Sequence, residues 1–247
     1  LFTKEIEEAL SDGVIDIAVH SMKDMPVAQP KGLIISTYLP REDVRDAFVS
    51  LTVNSISQLE QGATVGTSSL RRRAQILHRR PDLAVVEFRG NVQTRLKKLN
   101  AGVATCTFLA MAGLNRLGLD AIPATGIETD DMLPAVAQGA IGIERRGDDA
   151  RVSEMLSAIH DIPTGQRLAC ERAYLAQLEG SCETPIAGLA ELDGGTVNFR
   201  AEILRPDGTE ALSDAESSTI EDAAEMGRAV ADRLTARAPK DFFDWRS

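Results

Sequence analysis

Residues 66–99 read GTSSLRRRAQILHRRPDLAVVEFRGNVQTRLKKL, and they pass twice from strand to helix. ATVGT (63–67) is an apolar strand, and Ser68 or Ser69 stands where a side-chain oxygen caps the helix over 69–79. AVVEF closes a second strand over 83–88, Arg89-Gly90-Asn91 makes the turn, and Asn91 caps a helix over 91–99. Two strand–helix units in succession read as an α/β fold. The charges are out of place for a helix start. Arg71, Arg72 and Arg73 crowd the first turn of the first helix, where the dipole is positive. Each cation there costs roughly 0.3–1 kcal/mol. An anion held by arginines and free N–H groups offsets that cost. A solvated basic helix face is the plainer alternative, but the layout recurs at once with Arg95 behind Gly90.

This basic cluster sits in an acidic chain. The 247 residues carry 27 Lys and Arg against 37 Asp and Glu, a formal net charge of −10. Nucleic acid is therefore excluded as a partner, because its binding rests on many phosphate contacts. At 4% aromatic residues, stacking surface is scarce too. The cluster points to a small polyanion bearing carboxylates or phosphates. A 43% hydrophobic content over this length supports two or three domains with sizeable cores. No run is long and apolar enough to span a membrane, and no secretory signal is visible. The three cysteines, Cys106, Cys170 and Cys182, show no metal spacing and read as free thiols of a reducing, cytoplasmic compartment. No metal site is expected. A first residue Leu rather than Met reads as a processed, cut or incomplete chain.

Outward from 66–99, the periodicity predicts a helix over 3–12 with Gly13 as its cap, then strands VIDIAVH (14–20) and GLIISTYL (32–39). Residues 40–45 read as a polar hinge, 56–60 as a short helix, ATCTFLAMAG (104–113) as holding a strand, and 112–117 as a helix. Residues 131–138 read as a second crossing segment, followed by a strand over 139–145 and a helix over 149–158. This alternation predicts parallel α/β units. Beyond about residue 163 the pattern changes to a helix over 164–178, strands IAGLAEL and TVNFRAEIL, hairpin turns at 193–195 and 206–208, and a closing helix over 220–237. That is a small α+β domain with an antiparallel sheet.

Ser21, Lys23 and Asp24 lie at the carboxyl end of a strand, where open α/β sheets gather ligands. Asp24 beside Lys23 suits acid–base work or cation stabilisation; as a helix cap or hinge ion pair it would be structural. His20 reads as a structural histidine, and His78 and His160 as solvated. Cys106 and Cys170 read as inert core thiols, whereas Cys182 sits in a loop, LEGSCETP, from which a thiol can reach another domain.

Together DIAVHSMKDMP (16–26), REDVRDAFVS (41–50), VGTSSLRRRAQ (65–75), FRGNVQTRLKKL (88–99), LAMAGLNRLG (109–118), LPAVAQGAIGIE (133–144) and ERAYLAQLEGSCETPI (171–186) resemble the porphobilinogen deaminase (hydroxymethylbilane synthase) family. The resemblance implies three domains. Two are similar to type II periplasmic-binding-protein lobes, at 1–39 with 140–160 and at 40–139; the third, at 161–247, carries the cofactor cysteine. It implies a dipyrromethane held by a thioether at Cys182, on which porphobilinogen units are joined with loss of ammonia into a growing oligopyrrole and released as hydroxymethylbilane. Asp24 takes the place of the catalytic carboxylate, which stabilises the azafulvene cation left as ammonia departs. Arg71, Arg72, Arg89 and Arg95 would pair with acetate and propionate groups, with Ser21, Lys23, Thr67, Ser69 and Gln138 as further contacts and Arg116 as another substrate arginine. The enzyme is expected to be a cytoplasmic monomer with no membrane partner.

Ala137 stands where the family often has glycine, and Thr105 where aspartate is common. The resemblance also implies a segment ahead of Leu1 that supplies a strand of the first domain and further site residues. On that reading residues 1–39 and 140–158 are the least protected, and the chain as given does not turn over. The alternatives are a bilobal anion- or solute-binding module without catalysis, or an inactive fragment of the enzyme.

Overall fold

A computed structural model describes residues 2–119, 121–180 and 184–246. Its strands form three sheets, which the chain visits in the order first, second, first, third. Helix α1 (Phe2–Ser11) seats Leu10 against Ala18 and Leu33. Strand β1 (Ala18–Ser21) runs into a 3-10 turn at Met22–Asp24, and β2 (Leu33–Tyr38) follows. The chain then enters the second sheet through β3 (Asp46–Ser50), every residue of which is buried. Next come β4 (Thr64–Gly66), α2 (Leu70–Arg79), β5 (Ala84–Val86), α3 (Val92–Asn100), β6 (Cys106–Ala110), α4 (Met111–Arg116) and β7 (Ala124–Gly126). It returns to the first sheet as β8 (Ile141–Arg146), followed by α5 (Ala150–Ser157). Helix α6 (Ile162–Gln177) then leads to the meander β9 (Ile186–Asp193), β10 (Thr196–Leu204) and β11 (Ala211–Thr219), closed by α7 (Ala223–Arg237).

The first sheet has order β1-β8-β2, and β8 is antiparallel to both neighbours. The second has order β5-β4-β6-β3-β7; β4 is parallel to β5 and β6, while β3 runs against β6 and β7. The expectation of parallel units therefore holds only around β4. The reason is topological: β3 and β8 are the strands by which the chain enters from the other sheet, and each runs opposite to its new neighbours. β1 is also shorter than 14–20, since residues 14–17 pair with no strand, and the helix expected over 56–60 is a 3-10 turn at Ile56–Gln58.

The third sheet packs its inward residues Val197, Phe199, Ala201 and Ile203 against α6 and α7. The helices meet closely at Gly227, where a Cβ would lie 2.4 Å from the Cys170 carbonyl oxygen. Cys106 and Cys170 are both fully buried; burial pushes the Cys106 thiol up to about 12 and the Cys170 thiol likewise upward, in keeping with inert thiols. His20 bonds Glu144 at 2.9 Å inside the first sheet. His160 is not simply solvated: it is half-buried, and its Nδ1 accepts from the Tyr38 N–H at 3.2 Å. His78 is exposed but contacts the Gly208 carbonyl at 2.9 Å.

One buried carboxylate ties the sheets together. Glu171 on α6 receives both guanidinium nitrogens of Arg41, at 2.7 and 3.0 Å. It also accepts the N–H groups of Ala137 (2.6 Å) and of Ala190 on β9 (2.8 Å). Arg41 in turn donates to the Gln138 carbonyl at 3.0 Å. Both segments running between the first two sheets are thus fastened to α6. Ala137 bonds Glu171 from a left-handed conformation, φ 61°, which a side chain disfavours. Replacing it with glycine should stabilise the protein by about 1 kcal/mol in urea unfolding, and a loss of stability would show that the alanine methyl is needed. Glu171→Leu should cost about 3–5 kcal/mol, because it leaves Arg41 buried and unpaired. A cost below about 1 kcal/mol would show that the clamp is dispensable.

Candidate active site

Helix α2 starts at Leu70 with Ser69 as its cap, the Ser69 hydroxyl accepting from Arg72 N–H at 3.4 Å. Thr67 is buried and accepts from the Ser69 N–H at 3.2 Å, so it shapes the turn. Arg71 and Arg72 point inward; Arg73 is exposed. The cost inferred for cations at this helix start has a structural answer in part. Asp46, fully buried at the start of β3, pairs with Arg71 at 2.8 Å and Arg72 at 2.7 Å. Burial alone would raise the Asp46 carboxyl; the two guanidinium groups outweigh it and hold it far below the usual carboxylate range. One carboxylate nevertheless faces two arginines, so positive charge is left over.

That surplus lines a cavity of about 160 Å³. Its wall includes Lys23, Asp24, Ser69, Arg71, Arg72 and Gln138, six residues singled out in the sequence, with Thr184 and Ile186 from the far side of the Cys182 loop. Burial, and then Arg72, pull the Lys23 ammonium below its ordinary range. Among the described residues the side chains of Lys23 and Asp24 make no hydrogen bond or ion pair. Arg71 Nε and Gln138 Oε1 are buried without a partner among the described residues, while the Gln138 amide nitrogen donates to Asp46 at 3.0 Å and to the Val44 carbonyl at 2.7 Å. A donor and an acceptor thus stand ready within a cation-rich wall. Groups bearing carboxylates and ring N–H donors match that set.

Asp24 also borders a second cavity of about 460 Å³, walled by Met25, Pro26, Val27, Leu175 and Gly180 among others. Its rim is mainly apolar. The carboxylate therefore stands between a cationic chamber and an apolar one. Arg95, half-buried, lies next to the first chamber: its Nη1 donates to the Phe108 carbonyl at 3.4 Å, and Arg72 Nη1 reaches the same oxygen at 3.0 Å. Burial and Arg72 both disfavour its charge. Arg89 is exposed beside Glu87 and does not line the chamber. Arg116 donates to the Gly139 carbonyl at 2.8 Å, and Ser21 lies at the end of β1; neither lines the chamber. Cys182 lies outside the described residues, as do Ser181 and Glu183. Among the described residues no cluster of three His, Cys, Asp or Glu could hold a metal, and no helix is long and apolar enough to cross a membrane.

Sequence reading missed Asp46, Gln75 and Glu171. A signal existed for the first, since a lone aspartate heading the apolar run Asp46–Ser50 needs a buried partner. The pH dependence follows. A depressed carboxyl stabilises the fold fully above the unfolded value of about 4 and loses that contribution as pH falls below it. The stability gap between the protein and Asp46→Asn should be widest at pH 7 and shrink by pH 3 in urea titrations. A gap that grows on acidification would overturn the assignment.

The family model "Porphobilinogen deaminase, dipyromethane cofactor binding domain" matches residues 1–154, and that for the "Porphobilinogen deaminase, C-terminal domain" matches 166–236. A porphobilinogen deaminase of Paracoccus denitrificans is 62% identical over 99% of this chain and 78% of its own length. The chloroplastic porphobilinogen deaminase of Pisum sativum is 51% identical over 99% of this chain and 67% of its own. Among solved structures, a Salmonella typhimurium periplasmic binding protein with high arginine specificity aligns over 63% of this chain and 69% of its own at 14% identity, TM-score 0.38. An ancestral cationic amino acid solute binding protein aligns over 63% and 66% at 14% identity, TM-score 0.41.

Proposed function

The chain belongs to the porphobilinogen deaminase family, and from that membership we propose how its own residues carry the reaction. It is a deaminating transferase that joins porphobilinogen units, with release of ammonia, into the linear tetrapyrrole hydroxymethylbilane on a covalently bound dipyrromethane. The observation that carries the assignment of roles is the position of Asp24, unpaired among the described residues, on the rim shared by the two cavities.

The dipyrromethane, when bound, supplies the pyrrole carbon to which the first unit is joined. Cys182 is the residue proposed to hold it: Cys106 and Cys170 are buried, and Gly180 and Thr184, on either side of the Cys182 loop, each border a cavity shared with Asp24. Lys23, Arg71 and Arg72 hold its carboxylates, because they supply more positive charge than Asp46 balances. Gln138 Oε1 accepts a pyrrole N–H. Ser69 and Thr67 hold the turn that presents the arginines, and Ser21 precedes the Lys23–Asp24 turn. Arg95, with Arg89 and Arg116 further out, binds the carboxylates of incoming porphobilinogen. Asp24 accepts the pyrrole N–H of that unit and stabilises the positive charge that spreads over its ring as the C–N bond to ammonia breaks. Three domains, at 1–39 with 140–160, at 40–139 and at 161–247, a monomeric state and a cytoplasmic location complete the reading.

Asp24→Asn keeps the shape and removes the charge. Turnover should fall on the order of 10²–10³, while intact-mass measurement still finds the dipyrromethane attached. Cys182→Ser should lack that added mass, and Cys106→Ser and Cys170→Ala should keep it. Near-normal turnover in Asp24→Asn, or the adduct on Cys106 or Cys170, would retire the corresponding role.

A further inference from the structure

Gln75 lies one turn beyond Arg71 on α2 and is 2% exposed. Its amide is spoken for on every side. Oε1 accepts from Arg71 Nη1 at 3.1 Å. Nε2 donates to the Leu133 carbonyl at 3.1 Å and to the Glu202 carboxylate at 2.7 Å. A carboxylate only accepts, so Glu202, on β10, fixes which end of the amide faces it and turns the oxygen toward Arg71. Arg71 Nη1 also donates to the Leu133 carbonyl at 2.9 Å. The guanidinium is therefore gripped by two neutral oxygens besides Asp46, which it already shares with Arg72.

The residue type matters. A glutamate at the same place would reach Arg71 equally well, being four residues on along the helix. It would also put a further negative charge in direct contact with Arg71, on which Asp46 and the more distant Glu202 already act, and so reduce the charge available to an anionic ligand. An amide holds the guanidinium without that cost. We propose that Gln75 is a positioning residue for the reaction: it orients Arg71 while leaving its charge available, and Glu202 sets its orientation from the third sheet. The proposal rests on the reading of Arg71 as a carboxylate-binding group given above.

The test uses the full-length enzyme carrying its cofactor, in steady-state assays with porphobilinogen. Glu202→Gln keeps an acceptor within reach of the Gln75 amide and serves as the reference, in Tm and KM, for the double variant. Gln75→Glu sets two carboxylates side by side. Gln75→Glu/Glu202→Gln relieves that repulsion and should melt within a few degrees of the parent, yet its KM should remain raised about tenfold or more, with kcat changed less. A purely structural role predicts the opposite: once Tm is restored, KM returns to the parent value, and that result overturns the proposal. Gln75→Met/Glu202→Met, which removes the acceptor and its anchor together, covers the case in which the charged pair does not fold. A raised KM there supports the proposal, and an unchanged one overturns it. Arg71→Leu separates the two levels. If it leaves both KM and cofactor content unchanged, the reading of Arg71 itself is wrong; if it impairs them while the Gln75 variants do not, only the positioning role falls.

Discussion

Two arginines share one buried carboxylate, and the arrangement of the site follows from that imbalance. Asp46 opens β3, the strand by which the chain enters the second sheet; Arg71 and Arg72 open α2, which leaves the same sheet. Their pairing fixes β3 against the start of α2, and the Arg72 bond to the Phe108 carbonyl adds β6. A fully neutralised cluster would have been a structural ion pair. With one aspartate for two guanidinium groups, and Lys23 nearby under the depressing influence of burial and Arg72, the cavity wall is short of negative charge. A ligand with several carboxylates makes up the shortfall. That requirement is met by pyrroles bearing acetate and propionate side chains.

The site also depends on how three sheets are held around one small volume. Glu171 binds Arg41 and Ala137, one from each segment joining the first two sheets, and Ala190 of the third. Gln75 links α2 to the Leu133 carbonyl in the same return segment and to β10. Arg172, next to Glu171 on α6, donates to the carbonyls of Pro26 and Val27, just beyond Asp24. The third sheet and its helices therefore hold the Asp24 turn, the return segment and the arginine helix together. In the return segment, side chains of α6 and α2 bond the backbone directly: Glu171 at the Ala137 N–H, and Arg71 and Gln75 at the Leu133 carbonyl. This is what buried, irregular segments require, since their N–H and C=O groups have no ladder to join.

Much of this was legible in the sequence. The helices over 69–79 and 91–99, a cap at Ser68 or Ser69 (Ser69 in the structure) and one at Asn91, and the change to an antiparallel α+β unit all left local signals. Five of the six chosen residues that line the cavity follow a strand, at Lys23–Asp24 and Ser69–Arg72, and such turns collect at one edge of a sheet; Gln138 lies instead in the segment leading into β8. Strand direction was not legible. An alternation of strand and helix records neither which sheet a strand joins nor which way it runs, so β8 reads like any other apolar strand. Short strands such as Ala124–Gly126 carry too few residues to show a period. The partners of Arg71 were hidden for a different reason: Asp46, Leu133 and Glu202 are remote in sequence, and only the folded chain brings them to one guanidinium.

The carboxylates show the difference between holding a fold and doing chemistry. Asp46 and Glu171 are wholly buried, and bonded arginines and backbone N–H groups occupy them on several sides. Glu144 is buried as well and bonded to His20. Each is committed to the fold by its bonded partners. Asp24 is exposed and has no such partner among the described residues, although two arginines and a lysine help to line the same cavity. In the open site water screens it, so it costs the fold little. Once a pyrrole fills the space between the cationic and apolar chambers, that water is displaced, and a fixed negative charge in a drier setting acts strongly on a positive charge developing beside it. In the roles proposed above, the arginines hold the acidic side chains and the ring presents its N–H to Asp24 without bringing its carboxylates close to another anion. On that proposal, separating the two tasks in space lets a single site bind a polyanionic substrate and stabilise a cation on it.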